Sequence, residues 1–292
     1  MFLQLLVTGL VVGSIYALVA LGFVLIYKAS DCINFAQGEF LLVGAYVALA
    51  LVVTYQVPFL PAVALTLCFA ALLCVLVERL VLRPFIGEPV IAVIMATIGL
   101  SSLMRGIIQF IWGTDTRVFP PVFPQTPVRI GEVVVSQVYL WSLGLALLLL
   151  IIFALFFKFT ITGIVMRAVA DDQQAALSMG ISVKRVFAIT WAIAAVVAAV
   201  GGILLGNING VNSSLAHLGL KVLPVAILGG LDSIPGAVIG GLIIGVLENL
   251  AGGYLDPIFG GGVKEVAPFV ILVLILLIRP YGLFGKEIIE RV

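Results

Sequence analysis

Three groups of polar residues interrupt this chain, and each has a spacing that could do work. Asn34, Gln37 and Glu39 fall within INFAQGEF, at the start of an apolar run. There they either cap a helix, with Glu39 complementing its positive end, or line the route or inner gate of a polar solute. Asn207 and Asn209, followed by Asn212, Ser213 and Ser214, lie between an apolar run and a shorter one. A broken helix at that point would offer free backbone groups to a zwitterionic solute; capping and an exposed outer loop account for the same residues. The third group is RAVADDQQAALSMGISVKRV, Arg167 to Val186, which sets Arg167, Asp171, Asp172, Lys184 and Arg185 between two stretches of hydrocarbon.

None of these groups forms a catalytic constellation. The patterns G-x-x-x-x-G-K-[ST], H-E-x-x-H and G-x-S-x-G do not occur. The adjacent acids Asp171 and Asp172 fall in a connecting segment, and Cys32, Cys68 and Cys74 form no metal-ligand spacing with the single histidine, His217. We therefore expect no catalytic residue, no metal site, no cofactor held by this chain and no enzymatic activity. A net charge of +1 argues against nucleic acid as a partner, because phosphate binding needs a concentrated basic patch.

The elements that position these residues follow from the composition. The 292 residues are 63% hydrophobic and only 10% charged, where a water-soluble domain carries roughly 25% charged residues. Apolar runs recur at the length needed to cross a bilayer core as helix, about 20 residues. Barrel strands would instead show segments of alternating polarity about 10 residues long. The fold class is all-α, a polytopic integral membrane protein with about eight full transmembrane helices plus one short or broken membrane segment. The spanning runs are 2–27, 40–57, 59–77, 89–112, 138–157, 186–206, 234–252 and 262–279, and the short piece is Leu218 to Leu231. The first run has no small-residue cleavage pattern and reads as a membrane helix, not a signal peptide. A single transmembrane domain over 1–292, with a cytoplasmic loop over 160–186, is expected.

Lys and Arg distribution sets the orientation, since positive loops stay cytoplasmic. With the amino terminus outside and the short piece crossing, ten of the fifteen basic residues fall inside. If the short piece dips in and returns, eight fall inside and five outside. The crossing version is favoured, which puts Arg167 to Val186 and the tail after Arg279 in the cytoplasm. Arg105, in the outer third of the fourth run, is read as snorkelling to the interface in preference to contacting solute. Glu39, Arg105, Lys221 and Glu248 fall toward run ends, which gives little support to proton- or sodium-coupled transport. The spaced glycines Gly9/Gly13, Gly202/Gly206/Gly210, Gly236/Gly240 and Gly241/Gly245 permit close helix packing, with contact to a second subunit as the alternative.

From Thr162 to Met179 the loop carries helical spacing, with Ile164, Ala168, Ala175 and Met179 near one face and Gly180 as a stop. It is either a short amphipathic helix, whose small Ala175 and Ala176 admit a partner, or a solvated connection. The run Gln174-Ala175-Ala176-Leu177-Ser178-Met179-Gly180 resembles the E-A-A-x-x-x-G motif of bacterial ATP-binding-cassette (ABC) importer permeases, with Gln174 in place of the usual Glu. The whole stretch is similar to the corresponding loop of the branched-chain amino acid permease family. INFAQGEF resembles that family's I-N-F-A-H-G-E, with Gln37 where His is common. LGGLDSIPGAVIGG, Leu228 to Gly241, resembles G-G-M-G-S-I-P-G-A-V-I-G-G, with Asp232 for Gly, and RPYGLFG, Arg279 to Gly285, resembles R-P-x-G-L-x-G.

The resemblance spans the chain and points to the H-type subunit. It implies a permease working by alternating access in an inner membrane, paired with a second permease subunit, two ATPase subunits that bind ATP and Mg, and an external solute-binding protein. The coupling residues it implies are Arg167, Asp171, Asp172, Gln174, Ala175, Ala176 and Gly180. Urea or short amides are the alternative solutes within the same family, and an ATPase-independent channel is the alternative from another class.

Overall fold

A computed structural model describes residues 1–85, 88–121, 126–130 and 133–285. The helices, in chain order, are α1 (Phe2–Ser30), α2 (Gln37–Val53), α3 (Phe59–Val77), α4 (Val90–Trp112), α5 (Gln137–Phe159), α6 (Ile161–Asp171), α7 (Gln173–Ser178), α8 (Val183–Asn209), α9 (Ser214–Gly229), α10 (Ile234–Tyr254), α11 (Asp256–Phe259) and α12 (Val263–Ile278). A two-stranded antiparallel hairpin, β1 (Val128–Ile130) and β2 (Val133–Val135), precedes α5. Helix is what a chain this apolar must form in lipid, because it satisfies every backbone N–H and C=O within one segment.

Among the described residues six helices are long and apolar enough to cross a membrane: α1, the α3 segment continued to Phe85, α4, α5, α8 and α10. The runs expected at 40–57 and 262–279 are helical as well, but as the shorter α2, 17 residues, and α12, 16 residues. The short piece expected at Leu218 to Leu231 is α9, 16 residues with Pro224 inside it. The helix boundaries follow local chemistry. Pro58 and Pro89 precede α3 and α4. The Ser233 hydroxyl accepts from the Gly236 N–H to start α10. Gly113 and Gly210, at φ 79° and 80°, end α4 and α8 in a conformation that glycine adopts without steric cost.

The chain divides into two compact units, each assembled from separated segments. One comprises 1–24, 123–150 and 221–292, the other 25–122 and 151–220. In the first, Gly9 and Gly13 of α1 lie against Gly245 and Gly241 of α10, so tightly that a side chain at any of the four would meet backbone. In the second, α2 packs on α8: a Cβ on Gly202 would run into the Leu41 carbonyl oxygen, and one on Gly44 into Ala199. Small residues at helix contacts are the lipid-phase substitute for a hydrophobic driving force, because close backbones gain dispersion contacts. Burial divides the helices: 89% of the α1 apolar window and 72% of that of α8 are buried, against 22% for α3, α4 and α5. The latter three expose large apolar side chains such as Leu72, Phe110 and Ile151, surfaces suited to lipid or a neighbouring subunit.

Candidate functional site

The connection between α1 and α2 carries the first polar group. The Asn34 side chain accepts from the Ala36 N–H at 3.0 Å and donates to the Gln37 side-chain oxygen at 3.3 Å. Gln37 in turn donates to the Ala194 carbonyl of α8 at 3.1 Å, and the Thr97 hydroxyl of α4 accepts from the Phe35 N–H at 3.3 Å. These bonds shape the turn into α2 and tie it to two other helices, although neither side chain caps α2, whose N-cap Ala36 has no side-chain hydrogen bond. Glu39 sits in the first turn of α2, where a carboxylate is favoured by the helix dipole.

Glu39 is fully buried and Arg105 of α4 reaches it with two nitrogens, Nε at 3.1 Å and Nη2 at 2.5 Å, both on Oε1. Its other oxygen, Oε2, is buried with no hydrogen-bond partner among the described residues. Arg105 therefore does not snorkel to an interface. A buried carboxylate is far costlier than the exposed end of an arginine chain, and the pair forms because the acid must be compensated.

The other unit holds a second buried ion pair. Lys221 of α9 lies 3.4 Å from Glu248 of α10, both buried, and 3.5 Å from the exposed Glu265 at the start of α12. The Tyr16 hydroxyl donates to Glu248 at 3.4 Å. Tyr16 is the middle of the 29-residue α1, so Glu248 lies far deeper than its place toward the end of a run suggests. These charges compensate one another within the fold.

Arg167 to Val186 forms two helices, not one. Asp172 is extended, at φ −157° and ψ 107°, and its carboxylate accepts from the N–H groups of Gln174 and Ala175 at 2.8 and 2.9 Å. The expected continuous helix over 162–179 is interrupted because an aspartate that caps a new helix competes with continuation of the old one. Thr160 caps α6 in the same way, through Gly163. Gly180, at φ 82°, ends α7, and the Ile181 N–H reaches back to the Ala176 carbonyl. Arg167, Asp171, Asp172, Gln174, Ala175 and Gly180 are exposed, whereas Ala176 is buried within the fold. Ala176 is thus not part of an accessible face; that face is apolar around Ile164, Leu177 and Met179, the last 82% exposed. Gln173 anchors the junction by donating to the Ala29 carbonyl at 3.2 Å.

Asn207 and Asn209 lie near the far end of α8. Asn207 bonds back to the Ile203 carbonyl at 2.8 Å and Asn209 is exposed. Beside them Val211 bridges to Arg117, and Asn212 donates to Thr116. Thirteen residues of α8 separate Asn207 from Ala194, about 20 Å at 1.5 Å per residue, so the two asparagine groups do not converge on one site.

The arrangement is that of buried charge pairs on close-packed apolar helices, with one polar two-helix connection displayed on the surface. A profile of the family described as "Branched-chain amino acid transport system / permease component" matches residues 5–279. The chain belongs to this permease family. It is similar to the high-affinity branched-chain amino acid transport system permease protein BraD of Pseudomonas aeruginosa, with 34% identity covering 100% of this chain and 98% of that protein. The permease protein LivH of Salmonella typhimurium is 32% identical, and LivH of Escherichia coli 31%, each with the same coverage. The permease is accordingly a multi-pass protein of the cell membrane, in keeping with the six long apolar helices among its described residues.

Proposed function

We propose that this permease is the H-type subunit of an ABC importer that carries branched-chain amino acids inward by alternating access. The observation that carries this reading is the end-to-end similarity to BraD, 34% identity over 100% of the chain. In this reading the permease pairs with a second permease subunit, two ATPase subunits that bind ATP and magnesium, and an external solute-binding protein. Its amino terminus is outside and its tail cytoplasmic.

The cytoplasmic face of α6 and α7, with Arg167, Asp171, Gln174, Ala175 and the apolar Leu177 and Met179, docks on an ATPase subunit. Asp172 and Gly180 set the start and stop of α7, and Ala176 supports it from within. Exposure of large apolar side chains on a segment outside the lipid is what a protein partner would cover. Asn34, Gln37 and Glu39 belong to the inner gate, while Asn207 and Asn209 stand at the outer entrance. The docking role is tested by co-purification. Ala175→Pro, which removes a backbone bond at a cost of about 3 kcal/mol, lowers the ATPase recovered per permease. Full ATPase recovery together with full uptake would reduce the segment to a solvated connection.

A further inference from the structure

The unit that carries α6 and α7 also contains a cavity of about 100 Å³ beside them. That is many times the roughly 10–15 Å³ a single water requires, yet below the roughly 300 Å³ of sites for drug-sized ligands. It opens where α3 passes into a π-helical turn, Glu78–Leu82, a distortion that often marks functional positions. Its walls divide by chemistry. Leu82, Phe187 and Trp191 are buried apolar side chains, and the half-buried Val93 also lines the cavity. On the polar side Glu78, 1% exposed, receives Arg83 through Nε at 3.2 Å and Nη2 at 3.1 Å. A guanidinium has five N–H donors, so this fork leaves three for another acceptor. Glu88, exposed, stands on the rim. Gln173, the anchor of the α6–α7 junction, is part of the lining.

We infer that this cavity binds a small aliphatic α-amino acid. Its carboxylate meets the remaining donors of Arg83, its ammonium meets Glu88, and its side chain enters the space between Leu82, Val93, Phe187 and Trp191. A cation alone would leave the Arg83 donors unused, and an anion alone would face Glu88. Because the occupant touches Gln173, it holds the junction that anchors α7. Amino acid accumulated on that side therefore restrains the segment and slows ATP hydrolysis. This regulatory consequence rests on the transporter reading above, whereas the ligand chemistry rests on the cavity.

The test is a titration of the purified assembly, with its ATPase subunits and without binding protein, with L-leucine, followed by tryptophan fluorescence, to which Trp191 contributes. A saturable change is expected. Glu88→Gln, on an exposed side chain, weakens it at least about tenfold, the loss of a charged hydrogen-bond partner, and Val93→Phe, which fills the cavity, weakens it at least as much. Isoamylamine, which lacks the carboxylate, binds weaker by the same factor. ATP hydrolysis falls over the same leucine range. No saturable change, equal binding by both variants, or equal binding of isoamylamine overturns the site; hydrolysis indifferent to leucine overturns the regulation. Failure of the same preparation to take up leucine when supplied with binding protein counts against the transporter reading, while the titration alone decides the site.

Discussion

Glu39 and Arg105 are sixty-six positions apart in the chain and share one buried contact. Breaking such a pair from one side is asymmetric. Arg105→Met strands a carboxylate with no solvent access, which costs about 3–5 kcal/mol, whereas removing both charges is close to neutral. Thermal unfolding of the purified assembly should show a large loss for Arg105→Met and substantial recovery for Glu39→Gln/Arg105→Met. An equal loss in the double variant would mean that the Arg105 guanidinium stabilises through contacts other than Glu39. Glu39 was legible in the sequence as an acid at a helix start. Arg105 was misassigned to the interface because its partner comes from another helix, and no local spacing signals a tertiary pair. Lys221 and Glu248 escaped for the same reason: positions along a run do not say what depth a neighbouring helix imposes.

At the scale of elements, α2 against α8 is set by glycine. Gly202→Ala drives a methyl into the Leu41 carbonyl and should destabilise by about 1–3 kcal/mol, as overpacking does. Gly106→Ala on α4, with nothing within 4 Å, should be neutral or stabilising by about 0.5–1 kcal/mol. Unfolding midpoints of the two variants measure the contrast; equal shifts would deny the close approach. The α6–α7 segment allows a second contrast. Ala175→Trp, on the exposed face, should reduce ATPase recovery with little change in permease stability, while Ala176→Trp, on the buried face, should destabilise the permease itself. The reverse pattern would place the docking face on the other side of α7. Helical periodicity correctly marked this loop as helical, but it missed the break. Asp172 reads equally as a surface acid or as a cap, and only its extended backbone decides.

At the scale of the whole molecule, hydropathy made the membrane class and the helix positions legible, because lipid tolerates little else. The two compact units were not legible, since each collects segments interrupted by the other, 25–122 and 151–220 separating the parts of the first and 123–150 those of the second, and composition is uniform across them. The distribution of Lys and Arg predicts a cytoplasmic tail: a reporter fused after Val292 should be active only when it requires the cytoplasm, and activity confined to the outside would invert the topology. The central claim, import of branched-chain amino acids driven by partner ATPases, is tested most directly in proteoliposomes. These would hold the permease with its second permease and ATPase subunits, with binding protein on the side of the amino terminus. Leucine with binding protein should stimulate ATP hydrolysis and accumulate labelled leucine in an ATP-dependent manner; leucine movement that needs no ATP, or hydrolysis unaffected by leucine and binding protein together, would contradict it.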